Sequence, residues 1–192
     1  MVVLLTKPNP NKFHFFLDEH DIIEKTGGIR VNWEKLFNMQ RELDHHIETK
    51  HGLDKKDLFE RKILALFVEV GELANETRCF KFWSTKAPSE RDVILEEYVD
   101  GVHFILSLGL NKGFTYQSDM DKKQDMSDLT ALFNHVFDAI SLFKNHATEE
   151  HYQQLFNSYL DVGTYLGFDE EATYQAYVAK NEINHSRQNS GY

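Results

Sequence analysis

Four carboxylates stand out by their spacing. Glu69-Val70-Gly71-Glu72 and Glu97-Tyr98-Val99-Asp100 each set two acids three residues apart, between apolar neighbours such as Phe67, Val68 and Leu73, or Ile94, Leu95 and Val102. Residues three apart share one face of a helix, so each pair projects together. Paired like charges destabilise an isolated helix and call for something positive between them. Two facing helices carrying such pairs can offer several oxygens to a hard cation. Mg²⁺ suits the set, because it accepts carboxylates while keeping waters and phosphates in its remaining positions. The bland alternative is a solvated acidic face, and either pair alone would carry little weight against it. Asp100-x-x-His103 also offers half of the carboxylate–histidine set of a di-iron bundle, but no matching histidine accompanies Glu69 and Glu72.

The elements that must hold these acids read as helices throughout. Asn32 is a plausible N-cap, and Trp33, Leu36, Phe37, Gln40, Leu43, Asp44 and Ile47 follow at helical spacing until His51-Gly52. A second helix is expected from near Lys55 to about Arg78, then a loop through Ala87-Pro88-Ser89, with Ser89 able to cap the next helix. Glu90 to Leu110 forms a long amphipathic pattern stopped by Lys112-Gly113, and Gly101 inside it signals close packing or the approach of a ligand. Residues 115–127 are polar and read as a linker, helices fit 128–145 and 149–166, and a last helix runs from Asp169 towards Arg187. No alternating strand pattern and no repeat interrupts this series. The expectation is an all-α bundle of about six helices with antiparallel neighbours. Residues 1–31, with Pro8, Pro10 and Gly27-Gly28, read as an N-terminal extension ahead of a domain at 32–192.

Composition narrows the partners. The chain has 192 residues, 41% of them hydrophobic, enough for one domain with a substantial core. A formal net charge of −10 argues against a nucleic-acid backbone as partner. It does not exclude a phosphorylated small molecule, since a metal held by carboxylates can recruit the phosphates. The single cysteine, Cys79, excludes an intrachain disulfide and a cysteine-rich zinc site, and fits a reducing compartment. The start lacks a signal-peptide pattern, and no stretch approaches the roughly 18 apolar residues of a membrane span. A soluble, cytoplasmic protein without membrane contact is expected.

Longer motifs carry a resemblance. Leu73-Ala74-Asn75-Glu76-Thr77-Arg78-Cys79-Phe80-Lys81-Phe82-Trp83-Ser84, after E-x-x-E, is similar to the dimeric dUTPases of bacteria, phages and trypanosomatids. Glu97-x-x-Asp100-x-x-His103-Phe104 resembles the second metal motif of that family. The stretch from Lys180 to Tyr192 resembles its closing K-N-x-x-N-x-x-R-Q-x-x-G-Y signature. The resemblance covers roughly residues 33–192, with the motifs in the family's order. The broader MazG-like pyrophosphatases share the carboxylate helices but not this tail.

The resemblance implies a dimeric all-α nucleotide pyrophosphatase that converts dUTP to dUMP and pyrophosphate, limiting dUTP and supplying dUMP for thymidylate synthesis. Glu69, Glu72, Glu97 and Asp100 would hold Mg²⁺, and Glu69 would also orient the attacking water as general base. That water would attack the β-phosphorus. Lys81, Lys180, Asn184, Arg187 and Tyr192 would serve the substrate, with the tail's cations directed at the phosphates and Arg187 contributing its planar fork of donors. Gln40, Trp83, His103 and Phe104 would recognise uracil by hydrogen bonding and stacking. The tail's cations have no obvious acidic partners in the sequence, so the tail is expected to be mobile until phosphates arrive. One departure is clear: family members place Asn near the position of Asp44. A homodimer is implied, and the apolar residues spread over more than one face of the second and third helices agree with it. Activity on dUDP stays open. The alternatives are a pyrophosphatase for dCTP or a broader set of nucleotides, and a phage-type dUTPase whose 114–150 region also binds a repressor protein.

Overall fold

The computed structural model describes residues 31–53, 58–117 and 128–191. The N-terminal extension up to residue 30, most of the polar linker and Tyr192 lie outside the described residues. Among the described residues six helices follow in order: α1 (Trp33–His51), α2 (Leu58–Thr77), α3 (Arg91–Lys112), α4 (Leu129–Asn145), α5 (Glu149–Tyr165) and α6 (Glu170–Asn189). No strand occurs among the described residues, so the all-α expectation holds.

Local chemistry sets the helix ends. Asn32 accepts a hydrogen bond from the Lys35 amide at 3.0 Å, and Thr148 and Asp169 cap α5 and α6 in the same way. Gly52 and Gly113 close α1 and α3 in the left-handed region, where a Cβ would be strained. The end of α2 is less ordinary. Arg78 takes a positive φ of 59° without being glycine. Its guanidinium offsets that strain by donating to Ser84 Oγ at 2.6 Å and to the Lys86 carbonyl at 3.1 Å. Ser89 departs from its expected role as a cap. Glu90 stands at the start of α3 without a side-chain cap bond, and Ser89 Oγ donates instead to Glu76 on α2. The loop is thereby tied back to the helix it left.

The core forms around α3, which touches α1, α2, α5 and α6. Half of this helix is buried, including Tyr98, Val99, Val102, Ile105, Leu106 and Leu108. A helix apolar on most sides must sit inside the bundle. Leu36, Leu66, Val70, Leu73, Tyr152 and Phe156 fill the space around it. Each fully buried side chain of this kind contributes about 1.5–3 kcal/mol.

The α3–α5 contact depends on glycine. A Cβ at Gly101 would lie 2.0 Å from the Tyr159 hydroxyl, and one at Gly163 would lie 2.4 Å from the Tyr98 hydroxyl. The two tyrosines stack with ring centroids 5.0 Å apart, and Tyr159 donates to the Tyr98 carbonyl at 2.8 Å. Gly101 is therefore a close-packing position, with Tyr159 as its partner. This lock fixes the part of α3 that bears Glu97 and Asp100.

Candidate active site

A cavity of about 450 Å³ opens between α1, α2, α3 and α6. Each helix contributes one face at helical spacing: Gln40, Asp44 and Ile47 from α1, Lys62 and Glu69 from α2, Asp100, His103, Phe104 and Ser107 from α3, and Lys180, Asn184 and Arg187 from α6.

At one end Glu69 and Asp100 line the wall, and Glu97 stands beside them. Glu69, Glu97 and Asp100 each bring an oxygen within 4.8 Å of the others, and all three are half-buried. Glu72 is exposed and outside this trio, yet near enough to press on two of its members. The Glu69 carboxyl is raised from its ordinary 4.5 to about 7, first by burial and then by Asp100, Glu72 and Glu97, with Lys180 opposing. Burial raises Glu97 and Asp100 too. Three crowded acids that lose water and repel one another fit a hard dication, which would relieve both costs.

Lys180 supplies the internal positive partner. Its Nζ lies 2.7 Å from Glu96 Oε1 and 2.7 Å from Asp100 Oδ2, and its side chain is only 9% exposed. The tail's cations do have acidic partners, contrary to the reading of the sequence alone. Glu96 sits beside the carboxylate motif and was overlooked because only folding brings it to α6. Nor is the tail a separate strap. Residues up to Asn189 continue α6, anchored by buried Thr173, Tyr174 and Tyr177. Lys180, Asn184 and Arg187 form one stripe along the cavity, and the Arg187 charge is felt by Glu96 and Asp100.

At the other end a hydrogen-bonded relay lines the wall. Gln40 Nε2 donates to Asp44 Oδ1 at 2.7 Å, while Gln40 Oε1 lies 2.8 Å from His103 Nδ1 and accepts from the Tyr177 hydroxyl at 2.7 Å. Asp44 Oδ2 takes Lys62 Nζ at 3.0 Å and Ser107 Oγ at 2.6 Å. The rings of His103 and Tyr177 stack at 4.0 Å. Burial, reinforced by Lys180, pushes His103 down to about 3, so its imidazole is neutral at physiological pH. Its Nε2 is buried without a partner.

Six of the residues singled out for the substrate thus meet in one cavity: Gln40, His103, Phe104, Lys180, Asn184 and Arg187. Lys81 and Trp83 do not line it. They sit on the loop after α2, where Lys81 bonds Asn75 and Trp83 is 65% exposed beside Phe80 and Phe82. Tyr177, Lys62 and Ser107 are participants that sequence reading missed. Tyr177 could have been found, since it precedes Lys180 by one turn on the same face; Lys62 and Ser107 gave no comparable signal.

Fold and site together define an all-α protein whose cavity joins an acidic, cation-fitted end to a polar, hydrogen-bonding end. Residues 32–192 match the dUTPase family profile, and the chain belongs to that family. Its activity is the hydrolysis of dUTP, as a dUTP diphosphatase of a divalent-metal-dependent kind. A comparison with curated proteins found no match. No helix among the described residues is long and apolar enough to cross a membrane.

Proposed function

We propose that the chain hydrolyses dUTP to dUMP and pyrophosphate with Mg²⁺ held by Glu69, Glu97 and Asp100, and with Glu72 completing the set. The observation that carries this reading is a carboxylate trio two of whose members, Glu69 and Asp100, lie on the wall of the cavity that Lys180, Asn184 and Arg187 also line, with Glu97 beside them. When bound, Mg²⁺ supplies charge neutralisation on the phosphate oxygens. The chain's own groups do the rest. Glu69 takes the proton from a water directed at the β-phosphorus. Arg187 and Asn184 hold the phosphate oxygens from the α6 side. Lys180 shields Asp100 in the absence of phosphates and adds its charge to them when they enter.

The polar end of the cavity holds the base. The neutral His103 and the amide of Gln40 are fixed there by hydrogen bonds, and Phe104 offers a flat face. Leu64 and Val68 of α2, one turn apart, are exposed apolar side chains, as are Phe82 and Trp83 on the following loop, and we assign them to contact with a second copy of the chain. Trp83 and Lys81 would serve the substrate from that boundary.

Incubation with each deoxynucleoside triphosphate and UTP, with Mg²⁺ and then with excess chelator, tests the reading when products are identified. dUMP and pyrophosphate should form from dUTP, far faster than products from dCTP, dTTP or UTP, and only with the metal. Equal kcat/KM for dCTP and dUTP would move the chain to the broader pyrophosphatase class.

A further inference from the structure

We propose that Asp44 is a positioning residue that selects the base: through Gln40 it sets the tautomer of His103, so that Nε2 presents a lone pair to an N–H donor of the ligand. The inference rests on the dUTP reading for the identity of that donor. It rests on the relay itself for everything else.

The logic is one of donors and acceptors. A primary amide has one end that donates and one that accepts, and its orientation is decided by its neighbours. The Asp44 carboxylate, facing Lys62 and Ser107 with one oxygen, leaves the other as a pure acceptor towards Gln40. Gln40 must therefore turn its NH₂ to Asp44. The flipped amide would set its oxygen against a carboxylate oxygen 2.7 Å away. Gln40 Oε1 is then left facing His103 Nδ1 and the Tyr177 hydroxyl. The Tyr177 phenol, held far above its usual range by burial and by Asp44, stays a donor to that oxygen. An acceptor at 2.8 Å from Nδ1 requires the His103 proton there, so Nε2 is bare.

That bare nitrogen is the second, independent observation. His103 is 6% exposed, lines the cavity, and its Nε2 has no hydrogen-bond partner. A buried acceptor left unmet carries a desolvation cost, which a ligand N–H recovers on binding. Uracil carries an N–H at N3, whereas cytosine carries a lone pair there. Two facing lone pairs repel, so the relay favours uracil by leaving both acceptors unmet in the wrong complex. An amide at position 44 would both donate and accept, and would let Gln40 turn either way. The carboxylate removes that freedom.

The test uses the full-length protein and does not begin with activity. Long-range ¹H–¹⁵N correlation spectra at neutral pH should show His103 protonated on Nδ1, with Nε2 of the unprotonated type. Adding dUMP should shift the Nε2 resonance towards the hydrogen-bonded range, and dCMP should not. In Asp44→Asn the spectrum should change to the opposite tautomer or to a mixture. The preference for dUTP over dCTP in kcat/KM should fall by at least about tenfold. KM for dUTP should rise more than kcat falls, as expected for a group that orients the base rather than the phosphates.

Protonation of Nε2 in the wild type would overturn the proposal without any variant. A His103 spectrum unchanged in Asp44→Asn would overturn the role of Asp44. If the tautomer and its dependence on Asp44 are as stated but dUMP leaves Nε2 unmoved, the ligand contact is wrong and the positioning stands. If the enzyme also fails to prefer dUTP, it is the substrate reading that falls.

Discussion

Glu69 concentrates the chemistry of the site at one residue, and its pH behaviour follows from its surroundings. Burial and the neighbouring acids raise its carboxyl from 4.5 to about 7 without metal. The folded state therefore binds a proton that the unfolded state has released. That contribution to stability is complete below the unfolded value and is lost as pH rises through the folded one. Metal-free protein should melt at a higher temperature at about pH 6 than at about pH 8, and Mg²⁺ should offset the difference at the higher pH. Glu69→Gln should flatten the metal-free profile, as thermal scans across that window will show. The same substitution, like Asp100→Asn, should lower kcat by at least about a thousandfold, because it weakens both the metal site and the base. Circular dichroism should keep its helical signature in both. Full turnover in either variant would remove these two residues from the reaction.

α6 acts as a unit at the next scale. Its stripe of Lys180, Asn184 and Arg187 faces the cavity because Tyr174 and Tyr177 bury the preceding turns against the bundle. Arg187 stands two turns beyond Lys180 on that stripe and is exposed, whereas Lys180 is held by its ion pairs. Arg187→Ala should cost on the order of 2–4 kcal/mol in kcat/KM if its guanidinium meets charge that develops during attack. Lys180 differs, since it is buried between Glu96 and Asp100; removing it leaves crowded acids uncompensated, so stability and turnover should fall together.

For the molecule as a whole, α3 is the element that every other part of the site depends on. Its register against α5 is set where the Tyr159 hydroxyl rests on Gly101. Gly101→Ala gains about 1 kcal/mol of helix propensity, but the added methyl would stand 2.0 Å from that hydroxyl, so the packing loss prevails. A net destabilisation of about 1–3 kcal/mol is expected, with a lower kcat because Asp100 moves with the helix. Denaturant melts of the metal-free protein would measure it. Assembly is the other property at this scale. Exposed Leu64 and Val68 should lie inside a homodimer, so sedimentation should give a dimer for the wild type and a monomer for a Leu64→Glu, Val68→Lys double variant. A wild type that is monomeric at micromolar concentration would contradict the assignment.

Periodicity brought out the helices of this protein, because each has an apolar face at helical spacing and Asn32, Asp128, Thr148 and Asp169 cap four of them. It also brought out the acidic pairs, since an i, i+3 spacing is a property of one helix and needs no partner. What one helix cannot specify is which face of another it meets. The tertiary structure decided that Glu69, Glu97 and Asp100 converge while Glu72 stays at the rim, that Lys180 finds Glu96 and Asp100, and that Trp83 stands outside the cavity. It decided the base end too. In the sequence Asp44 is only a departure from the family's Asn, but across the bundle it meets Lys62 from α2 and Ser107 from α3. Charges and amides act over a few ångströms, and residues 18 and 63 positions apart come within that range only when side chains from three helices pack round one cavity.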